Sequence, residues 1–294
     1  MGSIGTIPMP ANSSPTKAPY AYYGGKSRMA AGIAALFPDH VNYIEAFLGS
    51  GAVFFAKRPN RGATILNDVD RNVVTFLRVL RDSPDELYEV CALTPHARDE
   101  FRLAADMDTP MTDLERARRF WVRINQSFAK TMSAQTGWSW TTARTTAIPA
   151  TISNRRERFM PAAERLMGCT IENKPAVALL EGLTTGPESV WYLDPPYMHS
   201  TRVQTAGYAH EMTDADHEAL ARVCNATTSV VVISGYRSPE YDEWYAGWYS
   251  RTIETMGWSS NSKTNVRTPR HEVLWCNRDV FGHPGPQMSF DALV

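Results

Sequence analysis

The sequence predicts an α/β protein built on one open, doubly wound sheet, interrupted by a mostly helical insertion. Three observations carry that expectation. Short apolar, β-branched runs alternate with amphipathic stretches from Tyr20 onward and again after Cys169. Between about Ser83 and Gly168 the pattern turns helical and basic, a composition shift that marks an inserted lobe. With 43% apolar and 21% charged residues over 294 positions, the chain has a globular composition, which excludes disorder, collagen and fibrous repeats.

Residues 1–19 are rich in Pro, Ser, Gly and Thr and read as a mobile tail without a signal peptide's apolar core. Val41 to Phe47 reads as a strand, Leu48 to Gly51 as a glycine turn, Ala52 to Lys57 as the start of a helix and Ala63 to Asp68 as a second strand, together a βαβ unit. A helix is expected from Arg71 to Arg81, where Val73, Val74, Leu77 and Leu80 recur at roughly helical spacing. In the insertion, residues 112–128 and 152–167 are helical, separated by a polar loop bearing Trp138 and Trp140. The α/β rhythm resumes with strand 169–172, helix 176–182, strand 190–193, helix 213–225 with Thr213 as its N-cap, and strand 230–234. Residues 251–255 and 272–276 are expected to close the sheet as an antiparallel pair. The catalytic domain thus comprises 20–82 and 169–280, the insert 83–168, and a second tail 281–294.

The longest apolar runs, Ala30 to Phe37 and Val230 to Ile233, fall far short of the roughly 18 to 20 residues of a membrane-spanning helix, so no membrane partner is expected. Four scattered cysteines without a C-x-x-C pair argue against a disulfide framework and a zinc knuckle; a reducing, cytoplasmic setting is expected. The net charge of −1 hides an asymmetry: residues 112–168 hold ten basic and four acidic side chains, so this stretch is +6 and the remainder −7. Such a stretch suits a polyanion such as duplex DNA, or else is a solvated helical face.

The sharpest chemical feature is Asp194-Pro195-Pro196-Tyr197 after the apolar strand VWYL, because ligands in open α/β sheets bind beyond the carboxyl ends of the strands. Two prolines remove two N–H donors, leaving the Asp194 carboxylate and the Pro195 carbonyl as an acceptor-only edge suited to an NH2 group. Tyr197 is placed to stack on a base. In the first half, Glu45-Ala46-Phe47-Leu48-Gly49-Ser50-Gly51 is a strand, glycine turn and helix start, with Asp68 ending the next strand where it can accept from a ribose diol. The turn lacks the third glycine of G-x-G-x-x-G, against a dehydrogenase.

With these motifs in order, the chain from about Tyr20 to Asn277 resembles the Dam-type DNA adenine-N6 methyltransferases. Tyr22-Tyr23-Gly24-Gly25-Lys26 is similar to their opening motif, EAFLGSG to the motif for S-adenosyl-L-methionine, Asn67 to Asp70 to the ribose motif, and DPPY to the catalytic motif. Residues 125–128, 210–220, 234–236 and 270–277 resemble further stretches common in bacterial and phage relatives. The resemblance implies a Rossmann-like methyltransferase sheet with a helical DNA-recognition lobe, and base flipping followed by direct in-line methyl transfer to adenine N6. It also implies that Lys26 and Glu45 frame the methionine end of the cofactor while Tyr22 and Phe47 line its adenine and sulfonium region. Gly24, Gly25, Gly49, Gly51 and Asp68 complete the expected cofactor site. DNA contacts are expected from Arg116, Arg119, Asn125, Lys130, Trp138, Arg144, Arg155 and Arg156.

Tyr22 stands where many relatives have Trp, and the insert carries no recognisable target-reading residues after Phe128. His271-Glu272 begins like H-E-x-x-H, but position 275 is Trp, so no metal is expected. His210 and His217 read as packing residues. Two rivals stand beside this reading. N-P-P-Y and S-P-P-Y motifs accompany methylation of cytosine or glutamine amines, whereas Asp194 and the basic insert favour adenine. An inactive DNA-binding relative would not need both motifs intact. A monomer or weak dimer is expected.

Overall fold

The computed structural model describes residues 14–22, 24–127, 132, 136–140, 156–198, 210–258 and 267–282, of which 254–258 and 267–270 are described by their backbone. The strands are β1 (Asn42–Glu45), β2 (Thr64–Asn67), β3 (Thr170–Glu172), β4 (Ser189–Leu193), β5 (Val230–Gly235), β6 (Tyr249–Trp258) and β7 (Arg267–Cys276). They form one sheet in the order β3-β2-β1-β4-β5-β7-β6. The first five are parallel and β7 runs antiparallel to both of its neighbours. The winding reverses between β1 and β4, the switch point at which open sheets leave a crevice. This is a Rossmann-like methyltransferase arrangement.

Alternation along the central strands builds a core on each face. Tyr43, Val190, Tyr192 and Val232 point into one cluster, and Ile44, Trp191, Leu193 and Ile233 into the other. The first face is covered by α1 (Ala30–Ala35), α2 (Ala52–Ala56) and α3 (Arg71–Asp82). After α4 (Pro84–Leu93) and α5 (Arg98–Leu103) come α6 (Asp113–Gln126) and α7 (Phe159–Leu166), both packed on α3. Their contact is aromatic: Phe120 and Phe159 lie 5.4 and 5.7 Å from the Phe76 ring, so these insert helices share the core of the sheet domain. The opposite face carries α8 (Ala176–Glu181), α9 (Asp214–Ala226) and α10 (Pro239–Trp244).

Local chemistry explains the boundaries. Asp70 caps α3 by accepting from the Asn72 amide, and Thr112 caps α6 by accepting from Glu115. Thr213 and Asp216 form a reciprocal capping box on α9. The expected strand 41–47 is shorter, because residues 46–47 already bend toward the glycine turn. The closing strands are longer than the sequence suggests, reaching 249–258 and 267–276. Helices α1 and α10 were not expected; each has only six residues, too few to display a helical period. The expected mobile tail is docked from Thr16, whose amide donates to the Phe55 carbonyl at 2.8 Å, and Ala18 is buried. Among the described residues no helix is long and apolar enough to cross a membrane.

Candidate active site

Four neighbouring parallel strands deliver polar groups to one edge. Glu45 ends β1, Asp68 follows β2, Asp194 follows β4 and Ser234 lies near the end of β5. Beside the switch point opens a cavity of about 490 Å³. Of the nine residues expected to hold a cofactor, all but Gly51 line it, together with Asp194 and Pro196. Gly51 stands behind the wall at φ +66° as the N-cap of α2, where a Cβ would meet Phe55 at 3.1 Å. Gly49, at φ +50°, would press a Cβ against the Tyr22 ring at 3.3 Å, and Tyr20 donates to its carbonyl at 2.7 Å.

The acids of the wall are poorly exposed: Glu45 is buried and Asp68 half-buried. Burial pushes Glu45 up to about 8, against a hydrogen bond from the Tyr43 hydroxyl at 2.7 Å that favours ionisation. Burial also raises Asp68 to about 6, although it accepts amides from Asp70 at 2.8 Å and Gly49 at 2.7 Å. Tyr22 turns its hydroxyl toward Asp70 at 3.4 Å.

Lys26 also reaches the catalytic motif. It lines the cavity, and its ammonium donates to both oxygens of Asp194 at 2.6 and 2.8 Å and to the Tyr197 hydroxyl at 2.7 Å, and it pairs with Glu272 at 2.9 Å. Burial alone would lower its pKa; Asp194, Tyr197 and Glu272 outweigh burial and hold it well above the ordinary lysine value. Ser234 donates to Asp194 at 2.8 Å and Tyr197 donates to Glu272 at 2.7 Å. The Tyr197 ring lies 4.4 Å from that of Tyr236, and neither Tyr197 nor the buried Pro195 lines the cavity.

Sequence reasoning named no role for Glu272 or Ser234, although both lie in stretches that resemble family segments. Pro175 to Val177 and His210 to Met212 also line the cavity. No local pattern marks the first of these, and only the family likeness touches the second.

The expected DNA contacts are dispersed. Arg119 is 9% exposed and donates to Glu115 at 2.8 Å and to the Asp106 carbonyl at 2.6 Å. Arg116 donates to Asn72, and the buried Asn125 to the Trp121 carbonyl. Trp138 stacks on His96 at 5.0 Å and donates to Gln126, while Arg156 lies 5.9 Å from the Tyr88 ring. Lys130, Arg144 and Arg155 lie outside the described residues. Arg118 pairs with Glu100 as well as Glu115, so acids just upstream of the basic stretch offset part of its charge.

A family profile described as D12 class N6 adenine-specific DNA methyltransferase matches residues 22–257. The chain belongs to this family. Methyltransferases of this class act on adenine in DNA, and the matched span runs from Tyr22 through Asp194 and into β6. Among solved structures, an rRNA methylase from Streptococcus thermophilus is similar over 87% of this chain and 98% of its own, with 9% identity and a TM-score of 0.36.

Proposed function

We propose that this D12-class methyltransferase binds S-adenosyl-L-methionine in the cavity beside the switch point and methylates N6 of an adenine flipped out of duplex DNA toward Asp194. The observation that carries the reading is the position of Asp194. Its carboxylate stands at the end of β4 and lines a cavity that also presents the buried Glu45 and the half-buried Asp68.

The residues present fit such a cofactor. The cavity is within the usual range for small-molecule sites, about 300 to 1,000 Å³. Gly25 and Gly49 line the cavity where the packing leaves no room for a side chain: a Cβ on Gly25 would meet the Tyr22 carbonyl at 3.0 Å. Asp68 offers remaining lone pairs to a ribose diol, and Glu45 a carboxyl group whose ionisation the methionine ammonium would favour. When bound, the cofactor supplies a methyl group on a sulfonium for direct transfer.

On the protein side, Asp194 and the Pro195 carbonyl accept the two N6 hydrogens, which favours a pyramidal nitrogen with its lone pair available. Asp194 need not be a strong base, because the N6 proton becomes acidic only as the methyl arrives. Orientation supplies much of the barrier reduction. Residues 83–168 are proposed as the DNA-facing part of the chain. Methylation-sensitive sequencing of plasmid DNA from cells expressing the protein tests the activity and reads the target: N6-methyladenine in one sequence context is expected, and its absence would overturn the reading.

A further inference from the structure

We infer that Glu272 is a positioning residue for methyl transfer, sharing the Lys26 ammonium with Asp194 and thereby keeping Asp194 able to accept the N6 hydrogens. The inference rests on the reading of Asp194 given above. An ammonium has three N–H donors. Five oxygens compete for them: both of Asp194 at 2.6 and 2.8 Å, the Tyr197 hydroxyl at 2.7 Å, Oε1 of Glu272 at 2.9 Å and, farther off, the Gly24 carbonyl at 3.5 Å. The cluster therefore holds two carboxylates for one cation, in surroundings that leave the side chains of Lys26 and Glu272 4% and 7% exposed. In such poorly solvated places charge pairs couple strongly.

With Glu272 present, the ammonium can turn toward Glu272 and Tyr197 and release an Asp194 oxygen to an incoming amine. In the structure both Asp194 oxygens contact Lys26 and Oδ1 also accepts from Ser234, so Oδ2 is the oxygen to be released; without the Glu272 charge, Lys26 has no second carboxylate to turn to and stays paired with Asp194, and the acceptor is weakened. The location supports the role. Val273 pairs with Gly235 at the end of β5, and Glu272 is the next residue beyond that pair on the same edge as Asp194. Tyr197 completes the link by donating to Glu272 at 2.7 Å.

The test compares steady-state kinetics of the full chain carrying Glu272→Gln or Glu272→Asp, on duplex DNA containing the target found by sequencing. Glu272→Gln is expected to lower kcat by about tenfold or more, with KM for DNA and for S-adenosylmethionine within about twofold. Glu272→Asp, which restores the charge, should return kcat to within about threefold of the parent. An unchanged kcat in Glu272→Gln, equal losses in both variants, or a change in KM alone would overturn the inference. If Glu272→Gln does not melt cooperatively, Glu272→Asp decides by itself: a loss beyond about tenfold, with the charge still present, overturns it. Asp194→Ala separates the two readings. An active Asp194→Ala removes the assigned acceptor, whereas an inactive Asp194→Ala beside a fully active Glu272→Gln removes only the role of Glu272.

Discussion

The backbone amide of Gly49 donates to the Asp68 carboxylate at 2.7 Å, joining the glycine turn after β1 to the end of β2. Asp68 thus fixes the cavity wall that it lines.

Asp68→Ala is expected to weaken S-adenosylmethionine binding by about 1.5 to 3 kcal/mol, the worth of a hydrogen bond to a charged group. Affinity in the parent should also fall as pH drops through about 6, where Asp68 takes up a proton. Calorimetry from about pH 5 to about pH 8, a range that brackets the Asp68 transition at about 6, checks both. A constant Kd in the variant would assign Asp68 wholly to holding the turn.

Glu45 links stability to pH. Its folded value of about 8 lies above its ordinary 4.5, so the native state binds the extra proton between those limits. Its contribution is therefore fully present below the lower limit and is lost as pH rises through the upper one. Urea unfolding of the ligand-free protein should show this decline, and Glu45→Gln should flatten it; parallel pH dependences would contradict the assignment.

Asp194→Ala is expected to abolish methyl transfer while leaving cofactor and DNA affinities nearly unchanged, since it removes an acceptor needed in the transition state. Tyr197→Phe should keep substantial activity, because Lys26 and Glu272 remain in direct contact at 2.9 Å. Tyr197→Ala should lose most of it if the ring stacks on the base. Single-turnover assays separate the cases, and equal losses in Phe and Ala would locate the role in the hydroxyl.

Arg165 supports the same wall from behind. Its buried guanidinium donates to the Phe54 and Lys57 carbonyls at the end of α2, both at 3.1 Å. Arg165→Met should leave those carbonyls without this donor and cost about 2 to 4 kcal/mol in a denaturant titration. A change under about 0.5 kcal/mol would show that water replaces the guanidinium.

Salt dependence distinguishes structural from DNA-facing arginines. Arg119→Ala should lower the melting temperature without altering the slope of log affinity against log salt, because its guanidinium is held by Glu115 and Asp106. Replacing Arg155 and Arg156 by Ala should flatten that slope by up to about 2 if both contact phosphates. An unchanged slope would move the search for the DNA surface to the loop near Trp138 and to residues 263–270.

Much of the fold was legible because it is written in short-range periodicity. The run VWYL and the run VVVIS are buried on both faces, so they read as continuous apolar strands. Asp194, Glu45 and Asp68 were legible as site residues because each sits at a strand end, where the α/β topology opens its crevice. The basic stretch was misleading in detail. A formal charge count cannot see that Arg118 reaches Glu100, or that Arg165 caps the carbonyls of α2, since those partners lie outside the window counted.

By itself, the sequence determined the alternation of strands and helices, the turn glycines and the acids at the strand ends, because backbone periodicity, capping and φ preferences act over a few residues. Only the tertiary structure decided that Lys26 meets Asp194, 168 residues away, and that Glu272 from the antiparallel strand β7 completes their cluster. The physical reason is that these charges are brought together by strand order and by burial of both sheet faces. Neither leaves a spacing in the chain from which the pairing could be read.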